Sequence, residues 1–538
     1  MEIRGSVFLI PIFIALFAAN SAFAARTELI SKSPSGAAGD GNSENPSVSD
    51  NGRYVVFEST AKNLVGDKTT SHSDIFLYDR ITKKNSRISK TAFDEANSSS
   101  YDGAISADGT VIVFSSNASN LVANDTGGNR DIFAYDRTTS LLTRVSISSN
   151  GTAANDNCDN PDVSENGRYV VFQSAATNLV GGDNNGVIDI FRHDRVTGTT
   201  VRINFFDYPA SGVTEYDSIE PVVSNDARYI AFETRTALRP CDDNNTTDVY
   251  VRDIVQGRTT LGSATYWDCV ANSSSHHPSI SADGRFVSFS STASNLILTE
   301  DTNGLEDVFI RDRSSMITER ISIASSGAEG NARSVGYGGN ISANGRYVTF
   351  SSPASNLAED SNTGYDVFVR DRTANKTTRE GLGTYWEAGT GDSGTNTAAI
   401  SSSGKYVVFD SSADGLVPGD NNNHWDVFIR DYLWTGPLIT AINPSSGDFH
   451  GGTLLTITGS NFRPGAAVVI GGKPALNVAI NAAGTKITCI TPPHDVGSVE
   501  LKVTNTDGTS WLYPIGLGGF NGYIYRPLAM PFLGILLL

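Results

Sequence analysis

VSENGRYVVF, residues 163–172, joins an apolar Val-Ser step through Asn-Gly to a run of aromatic and β-branched residues. Asn-Gly between two such runs reads as a tight turn between paired strands, because both residues tolerate left-handed backbone. The text returns as VSDNGRYVVF at 48, ISADGTVIVF at 105 and VSNDARYIAF at 223. It returns again as ISADGRFVSF at 280, ISANGRYVTF at 341 and ISSSGKYVVF at 400. From Val48 to Ile400 the copies advance in steps of about 59 residues, a spacing suited to propeller blades and long for most helical repeats.

Each unit reads as four short strands. The turn leads into RYVVF, a long loop follows, and a third strand such as DIFRHD (189–194) or DVFIRD (307–312) comes next. A Thr- or Gly-bearing turn then leads to a fourth, such as TERISI at 318–323. Strands two and three are apolar on both faces, as sheets packed between other sheets require. The seventh unit ends at DVFIRDY (426–432) without a fourth strand, whereas RTELISKSPSG (26–36) matches the fourth-strand text LTRVSISSNG (142–151). The expected fold is therefore all-β: a seven-bladed β-propeller closed by the N-terminal strand, with a further domain behind it.

Ser281-Ala282-Asp283-Gly284-Arg285-Phe286-Val287-Ser288-Phe289 resembles the signature of the TolB-like propeller family, over about residues 26–432. The family's proline is absent from every copy, and Ala227 replaces the turn glycine in unit four. The resemblance implies export and protein binding, and the family also includes enzymes. From Pro437 the text becomes PLITAINPSSGDFHGGTLLTITGSNF, then KITCITPP and GSVELKVTNTDGTS. These lines resemble the IPT/TIG immunoglobulin-like domain, which implies a β-sandwich serving as an extracellular binding or spacer module. The expected division is 1–24 signal peptide, 25–434 propeller, 437–525 IPT/TIG domain and 526–538 apolar tail.

The signal peptide is read from Arg4, the apolar run Val7 to Ala19 and the small-x-small site Ala22-Phe23-Ala24. The tail LAMPFLGILLL (528–538) is shorter than the roughly 20 residues of a spanning helix, so no transmembrane span is expected. Lys plus Arg number 40 against 58 Asp plus Glu, a net charge of −18, which disfavours nucleic acid as a partner. Four cysteines in an exported chain permit disulfides without making them the scaffold. Cys241 and Cys269, both on long connections of unit four, are the expected pair.

In a four-stranded antiparallel blade the second-to-third loop and the blade-to-blade connection open on one face. Both are long here, and long loops on a rigid scaffold concentrate binding groups. Three residues ahead of each first-strand Val or Ile stand Asn45, Asp102, Asn160, Glu220, His277, Gly338 and Thr397. First strands line a propeller's axis, so the polar members Asn45, Asp102, Asn160, Glu220 and His277 are a candidate ligand collar at the channel mouth. The pairs Tyr266-Trp267 and Tyr385-Trp386 on the connections are candidates for stacking on a sugar or anchoring a peptide, or else for plugging gaps between blades.

The long loops repeat Asp-x-Asn-x-x-x-Asp: Asp183/Asn185/Asp189, Asp242/Asn244/Asp248, Asp301/Asn303/Asp307, Asp360/Asn362/Asp366 and Asp420/Asn422/Asp426. Three oxygen side chains in a tight loop suit a weak calcium site, and Asp and Asn are equally good turn formers. An EF-hand is excluded, because positions seven and twelve are separated by a strand and so lie roughly 16 Å apart. No catalytic constellation is recognised. GDSG at 391–394 lacks partners, and His72, His276, His277 and His424 are spread over the loops. The expected role is an exported periplasmic, cell-surface or secreted binding or adhesion protein whose partner is an envelope protein or glycan. A carbohydrate-active enzyme and a structural envelope component are the alternatives.

Overall fold

The turn glycines explain why the units repeat as they do. Gly284 has φ +70°, and a Cβ on it would lie 2.0 Å from the Tyr229 ring of the preceding unit. Gly167 similarly abuts Val111, and Gly404 abuts Tyr347. The turn thus needs both left-handed backbone and an empty side, which glycine alone supplies without cost. Ala227 fills the place in unit four at φ +58°. The arginine after the glycine is equally local: Arg168 grips Asp194 through two bonds of 2.9 and 2.7 Å and lies 4.8 Å over Tyr169. Arg53, Arg228, Arg285 and Arg346 repeat that clasp on Asp79, Asp253, Asp312 and Asp371. In these five units the aspartate ending the third strand therefore ties strand two to strand three.

A computed structural model describes residues 25–527 except 92–93, 124, 126–127, 207–212, 299–300, 359–363, 382–392, 415, 418–419, 433–435, 507–508, 514 and 518–519. Every element among these residues is a β-strand. Unit three is representative: Cys158–Val163, Tyr169–Ser174, Asp189–Asp194 and Thr199–Arg202 form one antiparallel sheet in chain order. Strands two and three are the core, with Phe172 and Phe191 fully buried and stacked at 5.8 Å.

The last sheet draws on both ends of the propeller text. Ser393–Ile400, Tyr406–Ser411 and Asp426–Asp431 are completed by Arg26–Leu29, antiparallel to Asp426–Asp431 with Leu29 opposite Phe428. Backbone bonds also link the short turns in sequence. Asp50 donates to Ala107, Asp108 to Glu165, Glu165 to Asn225, Asn225 to Ala282, Ala282 to Ala343 and Ala343 to Ser402. Ser403 then donates its amide back to the Asp50 carboxylate at 2.6 Å.

Unit six departs from the four-strand expectation. Tyr347–Ser352, Asp366–Asp371 and Lys376–Arg379 form a three-stranded sheet, and the first-strand segment keeps only isolated bridges at Val335 and Ile341. Gly338 and Gly339 interrupt it, and the Gly336 amide turns to Ser290 Oγ of unit five instead.

The C-terminal region has its own core. Leu438–Asn443, Leu454–Ser460, Lys486–Ile490 and Leu476–Ile480 make one sheet, and Ala467–Ile470, Leu501–Thr504 and Ser510–Tyr513 belong to another. Leu455, Ile457, Ile470, Ile487, Cys489 and Leu501 are buried in one cluster, the inner faces of a sandwich. No helix of the described residues is long and apolar enough to cross a membrane, which says nothing of a β-barrel. The N-terminal 24 residues and residues 528–538 lie outside the described residues.

Candidate functional site

The first strands line a cavity of about 390 Å³, with Asn45, Asp102, Asn160, Glu220 and Tyr337 in its wall. Asn45, Asp102, Asn160, Glu220 and His277 all have positive φ, from 48 to 56°. Each interrupts its first-strand ladder; the register slips between Glu44 and Ser47 in unit one and between His276 and Ser279 in unit five. A non-glycine residue in left-handed backbone costs free energy and persists only where its surroundings hold it.

For Asp102, Glu220 and His277 a side chain from the second strand of the preceding unit does the holding. Glu58 Oε1 accepts the Asp102 amide at 2.7 Å and the Asn45 side chain at 2.9 Å. Gln173 Oε1 accepts the Glu220 amide at 2.8 Å, and Glu233 Oε2 accepts the His277 amide at 2.8 Å. These residues follow the strand-two phenylalanine, and the sequence reading did not single them out. They carry a legible signal: Glu58, Gln173 and Glu233 are polar at the same position of an otherwise buried strand.

The mouth is acidic. Burial, with the Asp102 charge adding, pushes the Glu58 carboxyl up to about 7 against the Asn45 hydrogen bond. Burial also raises Asp102. Two imidazoles stand among these carboxylates. His276 is raised by its hydrogen bond to Glu233. Burial opposes a proton on His277, but the hydrogen bond and charge of Glu220, at 2.7 Å from Nδ1, outweigh it and raise the group. Of the other collar positions, Gly338 stands where unit six has no regular first strand, and the Thr397 side chain lies outside the described residues.

Tyr266 and Trp267 meet edge to face at 5.2 Å and are exposed, Trp267 by 78%. Tyr385 and Trp386 lie outside the described residues. The expected Cys241–Cys269 bridge is corrected: both are free, exposed thiols. They are close enough for Cys269 to add to the burial that raises Cys241. In the turn 265–269 the Thr265 amide and hydroxyl both donate to the Cys269 carbonyl, and Cys269 Sγ faces the Trp267 carbonyl.

The acidic loops fold alike. Asn185, Asn244, Asn303 and Asn422 each accept the amide two residues on and donate to the closing aspartate, Asp189, Asp248, Asp307 or Asp426. A fourth-strand arginine then enters between the two carboxylates. Arg202 reaches Asp183 at 3.5 Å and Asp189 at 3.2 Å; Arg320 reaches Asp301 at 3.1 Å and Asp307 at 3.5 Å. Arg379 reaches Asp366 at 2.7 Å, while Asp360 and Asn362 lie outside the described residues. In units three and five a guanidinium thus bridges the first and last aspartates of the loop. Unit four has Leu261 at the arginine position, and Asp242 accepts the Tyr250 hydroxyl instead.

Unit seven has Leu29 there, so Asp420 and Asp426 are buried together with no Arg or Lys paired to them among the described residues. Burial, then the charge of Asp426, raises Asp420 from 3.8 to about 8, and burial raises Asp426 to about 6. A carboxyl with a raised folded-state pKa stabilises the fold fully below its unfolded value and loses that contribution as pH rises through the folded one. Stability should therefore fall between pH 3.8 and about 8, by up to about 1.4 kcal/mol per unit. Asp420→Asn should flatten that slope in denaturant melts; an unchanged slope places its origin elsewhere.

Residues 437–516 match the family model of the IPT/TIG domain. A stretch of 70 residues is 37% identical to Fibrocystin-L of Homo sapiens, and 99 residues are 29% identical to Fibrocystin-L of Mus musculus. These cover 13% and 18% of this chain, and the chain spans 2% of the length of each relative. TolB from Acinetobacter baumannii is a similar solved structure, with 18% identity, 55% of this chain and 63% of that chain covered, and a TM-score of 0.32. A prolyl endopeptidase is another, with 11% identity, 89% and 55% covered, and a TM-score of 0.42. The chain is a β-propeller protein with an IPT/TIG immunoglobulin-like domain.

Proposed function

We propose that this is an exported periplasmic or cell-surface binding protein whose channel mouth and loop-rich face receive part of an envelope protein or glycan. The observation that carries the reading is the collar: Asn45, Asp102, Asn160 and Glu220 are held in strained backbone in the wall of a cavity of ligand size, and His277, in the same backbone, packs on Tyr337 of that wall. Scaffold stability alone would be served better by ordinary strand residues. The exposed Tyr266-Trp267 pair adds a rigid aromatic contact at low entropic cost. The signal-peptide reading and the IPT/TIG domain support an extracytoplasmic location. Purified chain presented to glycan and envelope-protein arrays should retain a ligand. Asp102→Asn and Trp267→Ala should each weaken its capture about tenfold, as the loss of a charged or aromatic contact does. Capture unchanged in both variants defeats the reading.

Calcium is proposed for the seventh loop alone, where Asp420 and Asp426 face each other with no Arg or Lys paired to them among the described residues. Millimolar calcium should raise the melting temperature at pH 8 and leave Asp420→Asn unaffected. Equal shifts in both proteins would assign the effect to another place.

A further inference from the structure

Between units four and five the collar takes a composition found at no other described junction. Glu220 comes from the first strand of unit four, Glu233 from its second strand and His277 from the first strand of unit five. Their donor atoms, two carboxylate oxygens and one imidazole nitrogen, all lie within 4.8 Å of one another. Between units three and four the same three places hold Asn160, Gln173 and Glu220, and between units one and two they hold Asn45, Glu58 and Asp102. The neighbouring His276 adds a second imidazole, its Nδ1 3.4 Å from Glu233 Oε1.

The three side chains are already oriented. Glu233 keeps one oxygen on the His277 amide, which leaves the other directed at the imidazoles. The His277 ring is packed 4.9 Å from that of Tyr337, which is itself part of the cavity wall. Glu220 lies in the same wall, so the group borders the channel on its Glu220 side.

We propose that Glu220, Glu233 and His277 hold a divalent first-row transition metal of the zinc class at the channel mouth. Two carboxylates match the ion's charge, and an imidazole nitrogen selects this class over calcium or magnesium, which take oxygen ligands. Three protein ligands leave positions open toward the cavity, the arrangement of a metal site that admits water or a ligand oxygen. Binding displaces the proton now shared between His277 Nδ1 and Glu220. The proposal is independent of what the loop-rich face captures, because metal uptake is measured with no partner present.

The test is calorimetric titration of the purified, chelator-treated chain with zinc chloride, with elemental analysis after dialysis. The variants are Glu233→Gln and His277→Asn. Both are compatible with the fold, because Gln173 and Asn160 occupy the equivalent places in unit three, Asn160 at φ 48°. Glu220→Gln, whose side chain supports no backbone amide, is the third. Wild type should take up one more equivalent of zinc than any variant, with affinity at that step falling on the order of 100-fold or beyond in each. Wild type that takes up no zinc overturns the proposal. Variants with melting curves like wild type that take up as much zinc as it does overturn it equally.

Discussion

Deleting residues 26–33 should lower the melting temperature of the whole propeller by at least about 10 °C, rather than fray one end. The segment's Leu29 and Ile30 are buried in two different clusters, one against unit six and one against unit one. Losing two such side chains costs roughly 1.5–3 kcal/mol each. Glu28 is 5% exposed and meets Lys32, Arg80 and Lys83, whose charges hold its carboxyl far below the usual range despite burial. Without it Arg80 keeps only Asp431 as an ion-pair partner, at 2.8 Å. Thr27 accepts a 2.8 Å bond from Arg430, and Ser31 donates to Asp426. The deletion also bares the edge of Asp426–Asp431, an apolar strand with unpaired backbone groups. The combined cost is at least about 5 kcal/mol, and each kcal/mol is worth about 2–4 °C in a domain of this kind. A truncated chain melting like the intact one would show that the N-terminal strand is an ornament on a ring already shut by the turn-to-turn bonds.

The sheet architecture was legible because its demands fall on consecutive residues. The turn glycine, the following arginine and the closing aspartate each answer a contact made in most units, so the contacts appear as a repeat. Unit six escaped because Gly338 and Gly339 break pairing without disturbing the SANGRYVTF text by which the unit is recognised. The collar positions were legible from their offset before the first-strand Val or Ile. Their left-handed backbone was not, since no single residue type marks it. Glu58, Gln173 and Glu233 were missed because one polar residue at the end of an apolar strand reads as its solvent-facing boundary. The arginines of the acidic loops had a signal that went unread. Arg87, Arg144, Arg202, Arg320 and Arg379 each stand 13 residues after the closing aspartate. A constant separation across a strand and a turn marks a contact as surely as a shared motif does. Cys241 and Cys269 show the opposite case, where two residues on one face suggested a bond that the turn 265–269 directs elsewhere.

Arg320→Leu should cost about 3–5 kcal/mol at pH 8, the effect of leaving buried charges without their partner. Arg320 is 7% exposed and touches Asp301, Asp307 and Glu329, and its guanidinium lies 5.8 Å over the Phe309 ring. Asp307 is fully buried, and burial already raises its carboxyl although Arg320 opposes the shift. With the cation gone, the Asp301–Asp307 pair acquires the state that Asp420 and Asp426 occupy beside Leu29 in unit seven. There burial and mutual repulsion lift one carboxyl to about 8. The variant should therefore be most impaired at alkaline pH and recover toward pH 5, because a proton taken up by the raised carboxyl removes the repulsion. Its stability should fall with rising pH more steeply than that of wild type, the added slope being up to about 1.4 kcal/mol per unit. A deficit that is constant from pH 5 to pH 8 would assign the arginine's role to packing on Phe309. No deficit at all would mean that the loop is held by its asparagine turn, and that the five arginines only shield carboxylates the fold can tolerate bare.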